Sequence, residues 1–120
     1  MGIGEDFAHA VAAKDREGLE RLLAPDVDFK GLTPGRLWEA TGPDEVAEVI
    51  FGSWFEPSDT IESLVAVETG AAVGDTERVS YRLDLSNDRG PQVVEQQAYH
   101  RCADGRIIHL RVLCSGFRPR

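Results

Sequence analysis

The dipeptide Asp104-Gly105 constrains this chain more than any other feature. It lies between VVEQQAYHRC and RIIHLRVLCSGF, two runs rich in β-branched and aromatic residues. A two-residue type I′ turn needs positive φ at both central positions, and Asp-Gly accepts that geometry readily. With this pair as the loop, Ala103 pairs with Arg106, and the register runs outward from there. Arg101 then faces Ile108, Tyr99 faces Leu110, Gln97 faces Val112, and Glu95 faces Cys114. Cross-strand partners share a face. One face therefore carries Ile108, Leu110, Val112 and Cys114 beside Glu95, Gln97, Tyr99 and Arg101. The other carries Gln96, Ala98, His100 and Cys102 beside Ile107, His109, Arg111 and Leu113.

The first face joins an apolar strand to a strand of hydrogen-bonding side chains. In a close-packed core each unsatisfied polar group costs roughly 1–3 kcal/mol. The layout therefore predicts a cavity in which these groups meet a ligand, water or each other. A bulge near the turn would exchange the inward set, and His100 would then line the cavity in place of Tyr99.

Length and charge narrow the classes. The 120 residues suit one domain, 1–120, with a real core. The net charge is −8, and the 13 basic residues do not cluster apart from Arg118 and Arg120. Nucleic acid and anionic membrane are thus not expected as partners. No apolar run approaches the ~20 residues of a membrane span, and the acidic MGIGEDFAHA start lacks a signal-peptide pattern. The two cysteines, Cys102 and Cys114, fall on opposite faces in this register, too far apart to bridge. Free thiols fit a cytoplasmic location.

Helical patterning comes first in the chain. Phe7, Ala10 and Val11 mark a helix over 7–13, and Asp15 caps EGLERLLA, which Pro25 ends. Val27–Phe29 reads as a short strand and Gly31–Gly35 as a loop. DEVAEVIFGSWF forms a third helix, ending before Pro57. Ile61–Thr69 and Thr76–Ser86 read as strands, the latter with Val79, Tyr81, Leu83 and Leu85 on one face. Gly70–Asp75 and Asn87–Pro91 read as connections. Helices first and hairpin-linked strands last predict an α+β fold: a curved antiparallel sheet under three N-terminal helices, shaped as a cone enclosing a pocket.

The phrases KD-x-EGL-x-x-LLAPDV and DGRI-x-x-LRV, in this order of elements, make the chain resemble the SnoaL-like branch of the nuclear-transport-factor-2-like superfamily. That group includes polyketide cyclases, ketosteroid isomerases, dehydratases, epoxide hydrolases and many non-enzymes, and fold does not choose among them. The general-base aspartate of ketosteroid isomerases falls at Gly31, their oxyanion-hole tyrosine at Phe7 and their protonated aspartate at Gln97. The last-strand aspartate of limonene epoxide hydrolases falls at Val112. None of these is kept. The resemblance implies a homodimer through the outer sheet face.

The expected function is that of a small-molecule pocket protein. Its chemistry would be cofactor-independent acid–base catalysis (cyclisation, isomerisation or dehydration) on an apolar, oxygenated substrate. Glu95 would move the proton, while Gln97 and Tyr99 would hold developing negative charge. Trp38, Phe29, Trp54, Tyr81, Leu110 and Val112 would wall the pocket around a small apolar or aromatic molecule. The alternative is a non-catalytic ligand-binding or dimeric assembly module. His100, His109 and Cys102 share a face in this register and could bind zinc, but spacing alone is a weak motif, and no metal is assigned. No phosphate loop, HExxH, CxxC or nucleophile elbow is present, so no cofactor is expected.

Overall fold

A computed structural model describes residues 2–120. Helix α1 spans Ile3–Ala12 and buries Phe7, Ala8 and Val11. It begins a turn earlier than the apolar pattern suggests, because the Glu5 carboxylate accepts from the Gly2 backbone N–H at 3.2 Å. Glu5 and Asp6 also place negative charge at the positive end of the helix. Helix α2, Arg16–Leu22, starts as the sequence predicts, with the Asp15 carboxylate accepting from Gly18 N–H at 3.0 Å. Arg16 binds Glu20, Asp44 and Glu48 at 2.8–3.1 Å and ties α2 to the third helix. Those carboxylates, Glu48 foremost, hold its pKa above the ordinary arginine value.

The first strand, β1 (Leu23–Thr33), is much longer than Val27–Phe29. It turns through Pro34-Gly35 into β2 (Arg36–Thr41), which occupies residues with no strand expectation. The third helix, α3 (Pro43–Glu48), loosens into a π-helical stretch, Val49–Trp54. Phe55 N–H closes it on Ile50 O, five residues back, at 2.8 Å. The strands β3 (Thr60–Val73), β4 (Thr76–Asn87), β5 (Gly90–Ala103) and β6 (Arg106–Cys114) then run as hairpins. The short β7 (Arg118–Pro119) adds to β5.

The sheet order is β2-β1-β6-β5-β4-β3. Every pairing is antiparallel except β1 with β6, which is parallel. The fold is therefore α+β as expected, with one parallel seam in an otherwise antiparallel sheet. The helices cover one face and bury Phe7, Val11, Leu19, Val46 and Ile50 against it. From the sheet, Phe29, Val79, Leu83, Val94, Ala98 and Leu110 complete that core. Strand β3 forms one border of the sheet. Its pairing slips between Ile61 and Ser63, Val65 and Val67, and Ala71 and Val73. Ala66 sits in the middle slip with φ of 56°.

Candidate functional site

The Asp104-Gly105 turn forms as the sequence requires, with φ of 53° and 77°. The register departs from expectation one pair beyond it. Cys102 pairs with Ile107, but Arg101 pairs with His109, leaving Ile108 as an extra residue in β6. This bulge reverses which residues of β5 look toward the helices. Beyond it, His100 pairs with Leu110, Ala98 with Val112, and Gln96 with Cys114. The helix-covered face thus carries Gln96, Ala98 and His100, all buried, beside Leu110, Val112 and the half-buried Cys114.

The inward placement expected for Glu95, Gln97, Tyr99 and Arg101 is corrected by this register. All four lie on the outer face. Glu95 is exposed and paired with Arg118 at 2.9 Å. The Tyr99 hydroxyl donates to Gln97 Oε1 at 2.6 Å, and both side chains are half-buried. Glu95 and Gln97 line an open groove of about 780 Å³ with Arg78, Arg82 and Arg118, which Tyr81, Gln96 and Cys114 border as well. The zinc possibility loses its geometry too, since His100 and His109 now fall on opposite faces. Among the described residues no cluster of three metal-ligating side chains occurs. Cys102 and Cys114 share a side of the sheet after all, but stand at opposite ends of the hairpin, both as free thiols. Burial raises the Cys102 pKa, with Glu77 adding to the effect.

The predicted wall residues do come together. Phe29, Trp54, Tyr81, Leu110 and Val112 are buried in one cluster, and Trp38 packs against it half-buried. Trp54 lies 5.8 Å from Phe29, tilted, and 6.3 Å from Trp38, edge to face. Gly31 makes this arrangement possible, because a Cβ there would stand 2.5 Å from Trp54 Cη2.

Sequence reasoning did not place Gln96 in this layer. The Tyr81 hydroxyl donates to Gln96 Oε1 at 2.5 Å across the β4–β5 pair. Burial, with a contribution from Cys114, raises the Tyr81 pKa, so the phenol stays protonated and acts as a donor. Holding Oε1 leaves the amide N–H₂ of Gln96 facing away. Among the described residues, Gln96 Nε2 and Trp54 Nε1 are buried and have no hydrogen-bond partner. The adjacent pair Ile107-Ile108 was the signal that could have found this layer, since either isoleucine can point inward at a bulge. The buried carboxylate Asp59 belongs elsewhere: it accepts from Glu56 N–H and Asn87 Nδ2, each at 3.0 Å.

The SnoaL-like domain family matches residues 5–110. The chain belongs to that family. Solved structures agree on the fold. A candidate isomerase from Rhodopseudomonas palustris superposes with a TM-score of 0.74 at 17% identity, over 97% of this chain and 91% of that one. An LEH-like epoxide hydrolase from M. tuberculosis gives 0.66 at 16% identity, over 94% and 80%. A candidate polyketide cyclase from Pseudomonas putida gives 0.67 at 16% identity, over 93% and 90%. No curated protein matches the chain by sequence. No helix among the described residues is long and apolar enough to cross a membrane.

Proposed function

We propose that this SnoaL-like domain binds a small, mostly apolar molecule bearing a carbonyl or similar acceptor, between the helices and the covered sheet face. The observation that carries this reading is the pair of buried donors without partners, Gln96 Nε2 and Trp54 Nε1. A buried unpaired donor costs about 1–3 kcal/mol, and an apolar residue of the same shape would avoid it. A ligand oxygen at Gln96 Nε2 would satisfy that donor. The Tyr81 hydroxyl polarises the Gln96 amide through Oε1, which strengthens Nε2–H as a donor. Such a donor stabilises negative charge on an enolate oxygen and suits isomerisation or cyclisation. The neighbours named as isomerase and cyclase fit that chemistry. No carboxylate among the described residues lies free on the covered face, so polarisation and binding come before proton transfer in this reading.

A thermal-shift panel of polycyclic and aromatic ketones tests it. The expected result is a rise in Tm of several degrees with at least one ketone, abolished in Gln96→Leu and unaffected by Glu95→Gln. No shift across the panel, or a shift that survives Gln96→Leu, would sink the reading.

A second reading concerns the other face. Leu32, Leu37 and Leu113 are each half exposed or more, and they sit side by side across β2, β1 and β6. With Tyr99 they line an apolar hollow of about 290 Å³, rimmed by Lys30 and Arg111. A second copy of the chain docking here would cover it. Light scattering should give a dimer mass for the natural chain and a monomer mass for Leu113→Asp. A monomer in both disposes of the dimer.

A further inference from the structure

A separate hollow of about 210 Å³ lies between the first turn of α1, the end of β3 and His100. His100 is only 4% exposed and has no hydrogen-bond partner among the described residues. Its ring nitrogens are not sealed as Gln96 Nε2 and Trp54 Nε1 are, so they open into this hollow. Gly4 lets the imidazole lie against the helix: a Cβ there would stand 2.9 Å from His100 Cε1 and 3.3 Å from Nε2. Any other residue at position 4 would push the ring away. The same turn carries free donors. The Glu5 carboxylate accepts from Gly2 N–H alone. The Ile3 and Gly4 N–H groups stand at the open end of the helix, with no partner among the described residues.

We infer that this hollow is a binding site for a small oxyanion, a short carboxylate or a phosphate group, held between the His100 imidazole and the first turn of α1. The donors set the class. Two backbone N–H groups and an imidazole N–H border one space, and the positive end of the helix dipole adds to them. Thr69 pairs with Val79, lies on the same side of the sheet and brings a hydroxyl to the rim. A metal cation does not suit the place, since the helix end repels it and no three ligating side chains meet among the described residues. Two carboxylates oppose the anion. Glu5 is turned to Gly2 N–H, and Glu77 stands exposed at the rim, where solvent screens it. Arg78 forms part of the wall, but its guanidinium donates to Ser80 Oγ at 2.5 Å. With these opposing charges and a net charge of −8, affinity falls in the millimolar range. No residue of the Gln96 layer except His100 takes part, so this site stands or falls apart from ketone binding.

The experiment is a ¹H–¹⁵N NMR titration of the natural chain with sodium acetate and, separately, with inorganic phosphate. The pH is held fixed, and sodium chloride of equal ionic strength serves as the reference. At least one of the two anions should give saturable shifts of the Ile3 and Gly4 amides and of the His100 ring, with smaller, unsaturated shifts in chloride. Saturation by acetate alone assigns the site to carboxylates, and by phosphate alone to phosphate groups. His100→Phe keeps a ring but loses the N–H, and should weaken binding about tenfold or more. Glu77→Gln removes a like charge at an exposed position and should tighten binding about threefold. No saturable shift with either anion overturns the site. So does an equal response to chloride, and so does unchanged affinity in His100→Phe. Should that variant fail to fold, Glu77→Gln decides, and unchanged affinity there overturns the site as well.

Discussion

The two faces of β5 differ by one residue in phase and by everything in consequence. On the covered face, Gln96, Ala98 and His100 are at most 4% exposed and share a layer with Tyr81 and Trp54. One step along, Glu95, Gln97 and Tyr99 meet solvent, a neighbouring arginine or each other. Both sets carry polar side chains. The same amide side chain is therefore a donor without a partner on one side and a routine surface group on the other. What separates them is Ile108, the extra residue in the partner strand. A site on a sheet is thus decided by register before it is decided by residue type.

The largest effect that would break this comparison comes from adjacent residues of β6. Val112→Asp places an unpaired carboxylate in the covered layer and should cost more than ~4 kcal/mol, enough to abolish cooperative folding by circular dichroism. Leu113→Asp, one residue on and half exposed, should keep the stability of the monomer within ~0.5 kcal/mol when both chains are unfolded at concentrations too dilute for a dimer. Equal losses at the two positions would contradict the assigned faces. A smaller contrast separates the glutamines. Gln96→Leu strands the buried Tyr81 hydroxyl and should cost ~1–3 kcal/mol in urea unfolding. Gln97→Leu leaves the Tyr99 hydroxyl within reach of water and should be nearly neutral.

The smallest effect is in pH. Partial burial, then Arg111 and Arg101, lowers the His109 pKa below its ordinary 6.5. The folded chain therefore binds that proton less readily than the unfolded chain. Stability rises with pH across the window from the lowered value up to 6.5 and is level above it. His109→Gln should flatten this slope slightly, and an unchanged slope would assign it to other groups.

Much of the scaffold was legible because local chemistry and tertiary packing agreed. Asp15 caps α2, the Asp104-Gly105 turn forms, and the Val79-Tyr81-Leu83-Leu85 face of β4 is buried as its alternation requires. Elsewhere the signals were local while the cause was distant. Gly31, Thr33 and Pro34 read as loop chemistry, yet β1 runs on to Thr33 because β6 pairs it from the far end of the chain. Arg36–Thr41 has little apolar alternation, and becomes a strand by pairing with β1. The site depended on the hardest feature to read. Ile107 and Ile108 are chemically equivalent candidates for the interior, and nothing in their side chains says that a residue will be skipped between Ile107 and His109.

The border strand β3 carries one more consequence. Fourteen extended residues at the rim of a sheet would ordinarily present a straight row of amide and carbonyl groups, ready to recruit a further chain. Its three interruptions, with Ala66 turned left-handed in the middle one, keep that row from running straight for more than a few residues. The rim is thereby a poor template for fibrous assembly. Straightening it, by deleting Ala66, would be expected to shorten the protein's life in concentrated solution without touching the layer around Gln96.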